Sequence, residues 1–194
     1  MKANLATVKP LKSAFLSIGK DFEQLFKILF VNSQPYSDEI KRLLVINTKD
    51  CLDKNNDYYN QVVKNFSVSK LVEEGYIVFD SVITHPEHEE IKSYITLQIE
   101  QCTPNASNPY FMDAEFAFNI LTHYNYKYLG DFESRPWVIA GYIKGLLEEA
   151  RLSGLGKLEF QTATELTTDT AYSGVRLSYK TVHGVDDTIP VENA

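Results

Sequence analysis

Apolar side chains recur at two different periods along this chain, which predicts a helical part followed by a sheet. Before Gly75 the spacing is helical, and the first run places on one face Leu11, Phe15, Ile18, Phe22, Leu25, Phe26 and Leu29. A second helix is expected through "EIKRLLVI", with Ser37 as its N-cap residue and acidic residues in its first turn. Shorter helical pieces then run up to Gly75, where they are expected to stop.

After Gly75 apolar and polar residues alternate, which is typical of half-buried strands. A β-branched run, "YIVFDSVIT", comes first, and "IKSYITLQIE" and "AEFAFNILTHYNY" follow as an expected antiparallel pair. Ser134 and Pro136 mark the start of a helix through "WVIAGYIKGLLEEARLS", and two further strands are "KLEFQTATEL" and "YSGVRLSYKTV". The predicted fold class is α+β: an antiparallel β-sheet (β-β-α-β-β) packed on a helix, with additional N-terminal helices.

The change of period also predicts how the chain is divided. We expect a helical N-terminal segment at 1–75, packing on the core or appended to it, and an α+β core at 76–183. Residues 184–194, "GVDDTIPVENA", are expected to form a mobile tail. A chain of 194 residues favours one main domain over two full ones.

Charge and cysteine usage exclude several classes of function. The net charge is −7, and no run of lysine or arginine could neutralise several phosphates, so sequence-specific nucleic-acid binding is not expected. Cys51 and Cys102 lack C-x-x-C spacing and are interpreted as reduced thiols, which favours the cytosol. "LFKILFV" is too short to cross a bilayer, and no signal-peptide pattern opens the chain, so neither membrane association nor secretion is expected.

Two polar segments raise the question of a metal site. "HPEHEE" at 85–90 offers His85 and His88, but Pro86 interrupts the helical spacing that a zinc motif needs, so a polar loop is expected. "DKNNDYYN" begins like a calcium loop and then has Tyr58 and Lys64 where glycine and glutamate are required. We therefore predict no metal, no cofactor and no catalytic residues, and the chain is not expected to be an enzyme.

Aromatic residues are abundant, with 12 Tyr, 11 Phe and one Trp. Tyrosine is enriched at protein interfaces, which favours assembly over catalysis as the role of the chain.

From about Tyr94 the chain resembles the tail terminator (tail completion, or neck) proteins of long-tailed bacteriophages. The resemblance lies in the strand pair above, the helix "RPWVIAGYIKGLLE", the turn and strand "LSGLGKLEFQTATEL", and the closing strand "AYSGVRLSYKTV". Its final part, "YSGVRLSY", follows the pattern Y-x-G-x-x-L-x-F/Y. More weakly, "QPYSDEIKRLLVINTKDCL" is similar to the opening helix of neck proteins.

The resemblance implies a structural virion protein, found at the tail-neck region and assembled in the host bacterial cytoplasm. It implies a homohexameric ring that caps the tail tube, stops its polymerisation and joins the tail to the head connector. The implied partners are the tail tube protein, the sheath if the tail is contractile, and the head-tail connector proteins, while DNA passes through the lumen. Tyr172 and Arg176 are predicted to lie at a subunit or partner contact. The alternatives are another neck component, a small cytosolic enzyme using scattered histidines and carboxylates, and a non-viral adaptor that binds by strand addition.

Overall fold

The structure, a computed structural model, describes residues 20–21, 23–31, 35–79, 91–108, 111–148, 150, 157–167 and 171–183. Helical residues at 23–26 continue into a π-helical turn, Lys27–Val31. Three helices follow: α1 (Pro35–Val45), α2 (Asp57–Asn65) and α3 (Val68–Glu73). The beginning of the predicted first helix, the segment at 85–90 and the tail at 184–194 lie outside the described residues.

Local side-chain chemistry sets the ends of these helices. The Asn56 side chain accepts a hydrogen bond from Tyr59 N (3.2 Å) at the start of α2, and Ser67 accepts one from Lys70 N (3.2 Å) at the start of α3. Gly75 follows α3 with φ of 69°, a conformation that glycine adopts without strain. The prediction of Ser37 as an N-cap is wrong: α1 begins at Pro35, and proline suits the first turn because no intrahelical hydrogen bond needs its missing N–H.

The sheet has five strands in the spatial order β1-β2-β3-β5-β4. Their bounds are β1 (Ile77–Phe79), β2 (Ser93–Pro104), β3 (Met112–His123), β4 (Glu159–Thr167) and β5 (Tyr172–His183), and helix α4 (Arg135–Leu147) lies between β3 and β4 in the chain. The pairs β2–β3, β3–β5 and β5–β4 are antiparallel, so the predicted α+β class is confirmed. β1 adds a short strand parallel to β2, outside the predicted β-β-α-β-β unit.

One face of the sheet, which we call the helix face, packs against the helices and forms the main core. Its fully buried residues include Ile95, Phe116, Phe118, Ile120, Val175 and Leu177, with Ile139, Ile143 and Leu147 from α4. The opposite face, which we call the polar face, carries Thr96, Asn119, Arg176 and Lys180. Alternation along each strand separates the two sets, because successive side chains point to opposite faces.

Arg135, the first residue of α4, ties the N-terminal helices to the core. Its guanidinium is fully buried and donates to the carbonyls of Leu43 (2.8 Å), Ile46 (2.9 Å), Thr48 (2.5 Å) and Tyr126 (2.9 Å). The first three carbonyls lie at and just beyond the C-terminal end of α1, where helix carbonyls lack partners and attract a cation. Helix α1 therefore packs on the core through α4 and does not stand apart from it.

The far end of β5 is joined to the N-terminal segment by a buried pair, in which His183 Nε2 lies 2.8 Å from Asp21 Oδ2. Within the described residues, no helix combines the length and apolar character that a membrane crossing requires.

Candidate functional site

Strand β4 forms an edge of the sheet and is exposed along most of its length. Its nine residues pair with β5 on one side only, and seven of the nine are exposed, on both faces of the strand. It contains no proline or lysine, the residues that often protect a free edge, although a bulge interrupts its pairing at Gln161. Within the described residues, no second strand pairs with its outward N–H and C=O groups.

Phe160 gives this edge an apolar contact point. Its ring is 40% exposed and packs edge-on against Tyr179, with ring centroids 5.6 Å apart. Tyr179 is itself buried against Phe118 on the helix face, and burial raises the pKa of its hydroxyl well above the usual range. Phe160 is thus held by the core on one side and exposed to solvent on the other.

On the opposite side of the sheet, β2 is paired with β1 over part of its length within the described residues. β2 has 12 residues, and the described residues of β1 pair with Ile95, Thr96 and Leu97. Beyond them, residues 99–104 pair with β3 on their inner side and with no other described strand on their outer side. Most of these six residues are exposed. The second half of the predicted strand "YIVFDSVIT" lies outside the described residues.

Tyr172, one of the two predicted contact residues, is only 8% exposed. Its ring lies on the polar face, edge-on to Tyr94 (5.5 Å) and to His123 (5.4 Å), in a small apolar cluster with Leu121 and Leu166. Burial raises the pKa of the Tyr94 hydroxyl well above its usual range, and nearby Tyr172 adds to the rise. Tyr172 therefore supports its own sheet, and its role in a subunit contact stays a prediction.

Arg176, the other predicted residue, shares the polar face with Tyr172. Its guanidinium forms an ion pair with Glu100 of β2, reaching across β3. Beneath this bridge the buried Asn119 Nδ2 donates to Thr96 Oγ1 (2.9 Å). The structure thus brings Tyr172 and Arg176 together on one face, where Arg176 remains partly exposed.

A second charged pair continues along the polar face. Lys180 Nζ lies 2.7 Å from Asp113 Oδ2, and Asn105 Nδ2 donates to Asp113 Oδ1 (2.7 Å). The hydrogen bond from Asn105, followed by the interaction with Lys180, lowers the pKa of Asp113, and Asp113 in turn raises the pKa of Lys180. Glu115 and Glu159 also lie near Lys180 and add to the rise in its pKa.

Gly174 explains the glycine of the "YSGVRLSY" pattern. A Cβ atom built on it would lie 1.9 Å from the carbonyl oxygen of Ile120 in β3. That oxygen belongs to the backbone of the neighbouring strand, so it cannot move aside as a flexible side chain could. Any larger residue would push β5 away from β3. Glycine is required here by the close approach of two backbones.

Four exposed aromatic residues surround the start of α4. Tyr124, Tyr128, Phe132 and Trp137 are all about half exposed or more, and Phe132 reaches 85%. Phe132 also has φ of 61°, a left-handed conformation that is uncommon for a residue with a side chain. The loop is held by Gly130 N, which donates to Lys49 O (3.0 Å). Sequence reasoning found the aromatic excess but not where it is exposed.

The structure does not assemble the described histidines into a site. His123 stands at one end of β3, whereas His183 pairs with Met112 at the other end, about 36 Å away for a strand of this length. No group of three or more His, Cys, Asp or Glu side chains that could hold a metal ion occurs in the described part of the chain. His85 and His88 lie outside it.

The segment that begins like a calcium loop is occupied by local hydrogen bonds. Asp53 Oδ1 accepts from Asn55 N (2.9 Å), and Asn56 caps α2. Its polar residues therefore form a turn and a helix start.

Comparisons with known proteins place the chain in a family. No curated protein matches it. The family model described as YomW matches residues 37–181, a span that runs from the first turn of α1 almost to the end of β5 and includes all five strands. The matched unit therefore contains the edge strand β4 and the polar face. Since it covers most of the chain, this protein belongs to the YomW family.

Proposed function

We propose that this protein is a structural component of a long-tailed phage virion, a tail terminator that assembles as a ring. In this role it caps the tail tube, stops its polymerisation and joins the tail to the head connector. The observation that carries the proposal is the exposed edge strand β4, which offers nine residues of backbone to a neighbouring chain. The resemblance of the second half of the chain to tail terminators supplies the biological setting.

The surface chemistry supports assembly better than catalysis. Exposed aromatic residues around α4 provide the type of side chain that is enriched at protein interfaces. Two ion pairs of the polar face, Arg176 with Glu100 and Lys180 with Asp113, join strands of the same sheet, so we assign these charges to the fold and not to catalysis. The net charge of −7 would let DNA pass through a ring without adhering to it.

An edge strand also accounts for closure into a ring. A contact between two different surfaces of identical subunits repeats from one subunit to the next, and it closes when the rotation between neighbours divides a full turn. Six subunits are expected from the resemblance to tail terminators. Another component of the phage neck would use the same edge strand, β4. Binding to the tail tube distinguishes a terminator from such a component.

The test is the particle that the full-length protein forms. Mass photometry over a dilution series, with negative-stain electron microscopy, should give rings of six subunits. Adding the tail-tube protein of the same phage should place a ring at the end of each tube and prevent further growth. A protein that stays monomeric at micromolar concentration and leaves tube growth unchanged would overturn the proposal.

A matched pair of variants tests whether β4 carries the assembly. Ala163→Lys places an ammonium group in the middle of the edge strand, and Ser69→Lys adds the same group to an exposed position of α3. We expect Ala163→Lys to shift rings towards monomers because its charge would lose water at the contact, and Ser69→Lys to assemble normally. Equal assembly of the two variants would exclude β4 from the contact.

A further inference from the structure

We propose that the hairpin at 128–134 and the first turn of α4 bind a positively charged segment of another protein, one with apolar side chains beside its lysines or arginines. The surface, which we call the acidic-aromatic surface, consists of the exposed side chains of Phe132 and Trp137 and an acidic pocket beside them. The partner is not a copy of this chain, so binding here does not depend on whether the chain forms a ring.

Backbone hydrogen bonds hold the hairpin in place. A β-bridge between Tyr128 and Ser134 closes it, just before α4 begins. Its tip is fixed to the turn that follows α1, because Gly130 N donates to Lys49 O (3.0 Å). The side chains at the tip are therefore presented from a fixed backbone.

Phe132 is not explained by the needs of its own fold. Its φ of 61° is left-handed, and hairpins that contain such a position usually place glycine or asparagine there. Its ring is 85% exposed, so it contributes little to the core. Backbone preference and packing both disfavour phenylalanine at this position. Strain of this kind is typical of binding sites, where a partner supplies the contacts that the fold does not.

The acidic pocket gives the surface its charge. It has a volume of about 280 Å³, which suits one inserted side chain better than a larger ligand. Hydrogen bonds from Thr48 and then Tyr59 lower the pKa of Asp50, one of its carboxyl groups. Among the described residues, no ion pair involves any of the carboxylates of the pocket. One lysine, Lys49, stands against four exposed acids: Asp50, Asp53, Asp131 and Glu133.

Charge and aromatic side chains together define the partner. Asp131 and Glu133 flank Phe132 in the chain, so an apolar side chain that covers the ring brings its neighbours close to two carboxylates. Lysine and arginine are the residues that these carboxylates attract, and a guanidinium also binds the face of a tryptophan. Nucleic acid would be repelled by the four acids, and a second copy of this surface would oppose like charges.

Trp137 provides a native probe of binding. It is the one tryptophan of the sequence, it lies in the first turn of α4, and it is 46% exposed. Its fluorescence therefore reports on this surface without interference from another tryptophan.

The experiment titrates the full-length protein with three short capped peptides of equal length and follows Trp137 fluorescence. One peptide alternates arginine with leucine, the second glutamate with leucine, and the third arginine with serine. We expect the arginine-leucine peptide to bind about tenfold or more tightly than either of the others, because only it supplies both the charge and the apolar contact. Its binding should weaken as the salt concentration rises.

A variant of Phe132 separates binding from folding. Phe132→Asn removes the ring and places at this position a residue that tolerates the left-handed conformation. Its midpoint of urea unfolding should equal or exceed that of the native protein, whereas its affinity for the arginine-leucine peptide should fall about tenfold or more. Val72→Ser, which removes an exposed apolar side chain from α3, is the matched control and should bind the peptide normally.

A second pair of variants tests the charge. Asp131→Asn combined with Glu133→Gln should weaken binding of the arginine-leucine peptide roughly three- to tenfold. Glu73→Gln combined with Glu159→Gln changes the net charge by the same amount at exposed positions outside the surface, and it should leave the affinity unchanged.

Four results would overturn the proposal. The first is a lower urea midpoint for Phe132→Asn, which would show that the ring stabilises its own fold. The second is equal binding of the three peptides, and the third is no binding of the arginine-leucine peptide below about 1 mM. The fourth is protection of Trp137 from acrylamide quenching as the protein concentration rises, with the protection lost in Phe132→Asn, because the occupant would then be a second copy of the chain.

Discussion

Replacing Arg135 should destabilise the fold more than any change on the surface of α4. The guanidinium is fully buried beside the Cys51 thiol, and four backbone carbonyls accept its hydrogen bonds. Burial lowers the pKa of Arg135, which indicates that the charged form is costly to bury and must be compensated by these contacts. Arg135→Met keeps most of the apolar volume and removes every donor.

The expected loss follows from the carbonyls left behind. A hydrogen bond from a charged donor contributes about 1.5–3 kcal/mol, so four of them set an upper limit of roughly 6–12 kcal/mol. Removing the buried charge recovers part of this, because its desolvation cost disappears. Truncating one side of a buried charged contact typically costs about 3–5 kcal/mol, and we expect a loss in that range. For a chain of this size it corresponds to a fall in Tm of roughly 6–20 °C.

Urea unfolding followed by far-UV circular dichroism measures this loss, with all variants at one protein concentration. Lys144→Met is the matched control on α4, because Lys144 is exposed and contacts only Glu148 (3.4 Å) in the described structure. It should change the free energy of unfolding by less than about 0.5 kcal/mol. Arg135→Lys keeps the charge with fewer donors, and its loss of unfolding free energy should lie between those of Arg135→Met and Lys144→Met. A loss below about 1 kcal/mol for Arg135→Met would refute the role of Arg135 as the cap of α1.

Three further predictions concern the sheet. Gly174→Ala should cost about 1–3 kcal/mol or more in urea unfolding, since its methyl group would meet Ile120 O, and an unchanged midpoint would show that β3 and β5 lie further apart. The pKa of Asp113 is lowered in the fold, so its carboxylate stabilises the protein at pH values above the ordinary aspartate pKa of 3.8, and this contribution is lost as the pH falls through the lower pKa of the folded state. The difference in free energy of unfolding between the native protein and Asp113→Asn should therefore shrink on acidification. A difference that stays constant with pH would contradict this. Arg176→Glu should destabilise the sheet, because it replaces the ion pair with Glu100 by two like charges. Adding Glu100→Arg should restore the stability but not the assembly of rings. Full recovery of rings, measured by mass photometry, would show that Arg176 is not part of the subunit contact.

The elements with strong alternation could be predicted from the sequence, and the structure contains them. The alternation in β2, β3 and β5 identifies their type, but it identifies the buried set only in β5, because residues 93–97 of β2 and 116–122 of β3 are buried on both faces. The extent and direction of β1 could not be predicted, because they depend on a partner strand that follows it in the chain. Its described part is only three residues long, too short for a periodic signal.

Arg135 shows why the polar part of the interior escaped prediction. Charged residues are almost never fully buried, so a sequence pattern assigns them to the surface by default. Its partners are backbone carbonyls, which leave no trace in residue identity. The same limit applies to Arg176 and Glu100, whose pairing across β3 depends on register and on a bulge beside Glu100.

The contact between Arg135 and Leu43 also constrains the order in which the chain can fold during synthesis. The two residues are 92 positions apart, so helix α1 leaves the ribosome long before its cap exists. At about 5–20 residues per second, the delay is roughly 5–20 seconds. β1, β2 and β3 are made within this delay, so α1 first waits for strands of the sheet and then for α4. The apolar face of α1 therefore depends on partners made later in the chain, and it is exposed on the nascent protein until they appear.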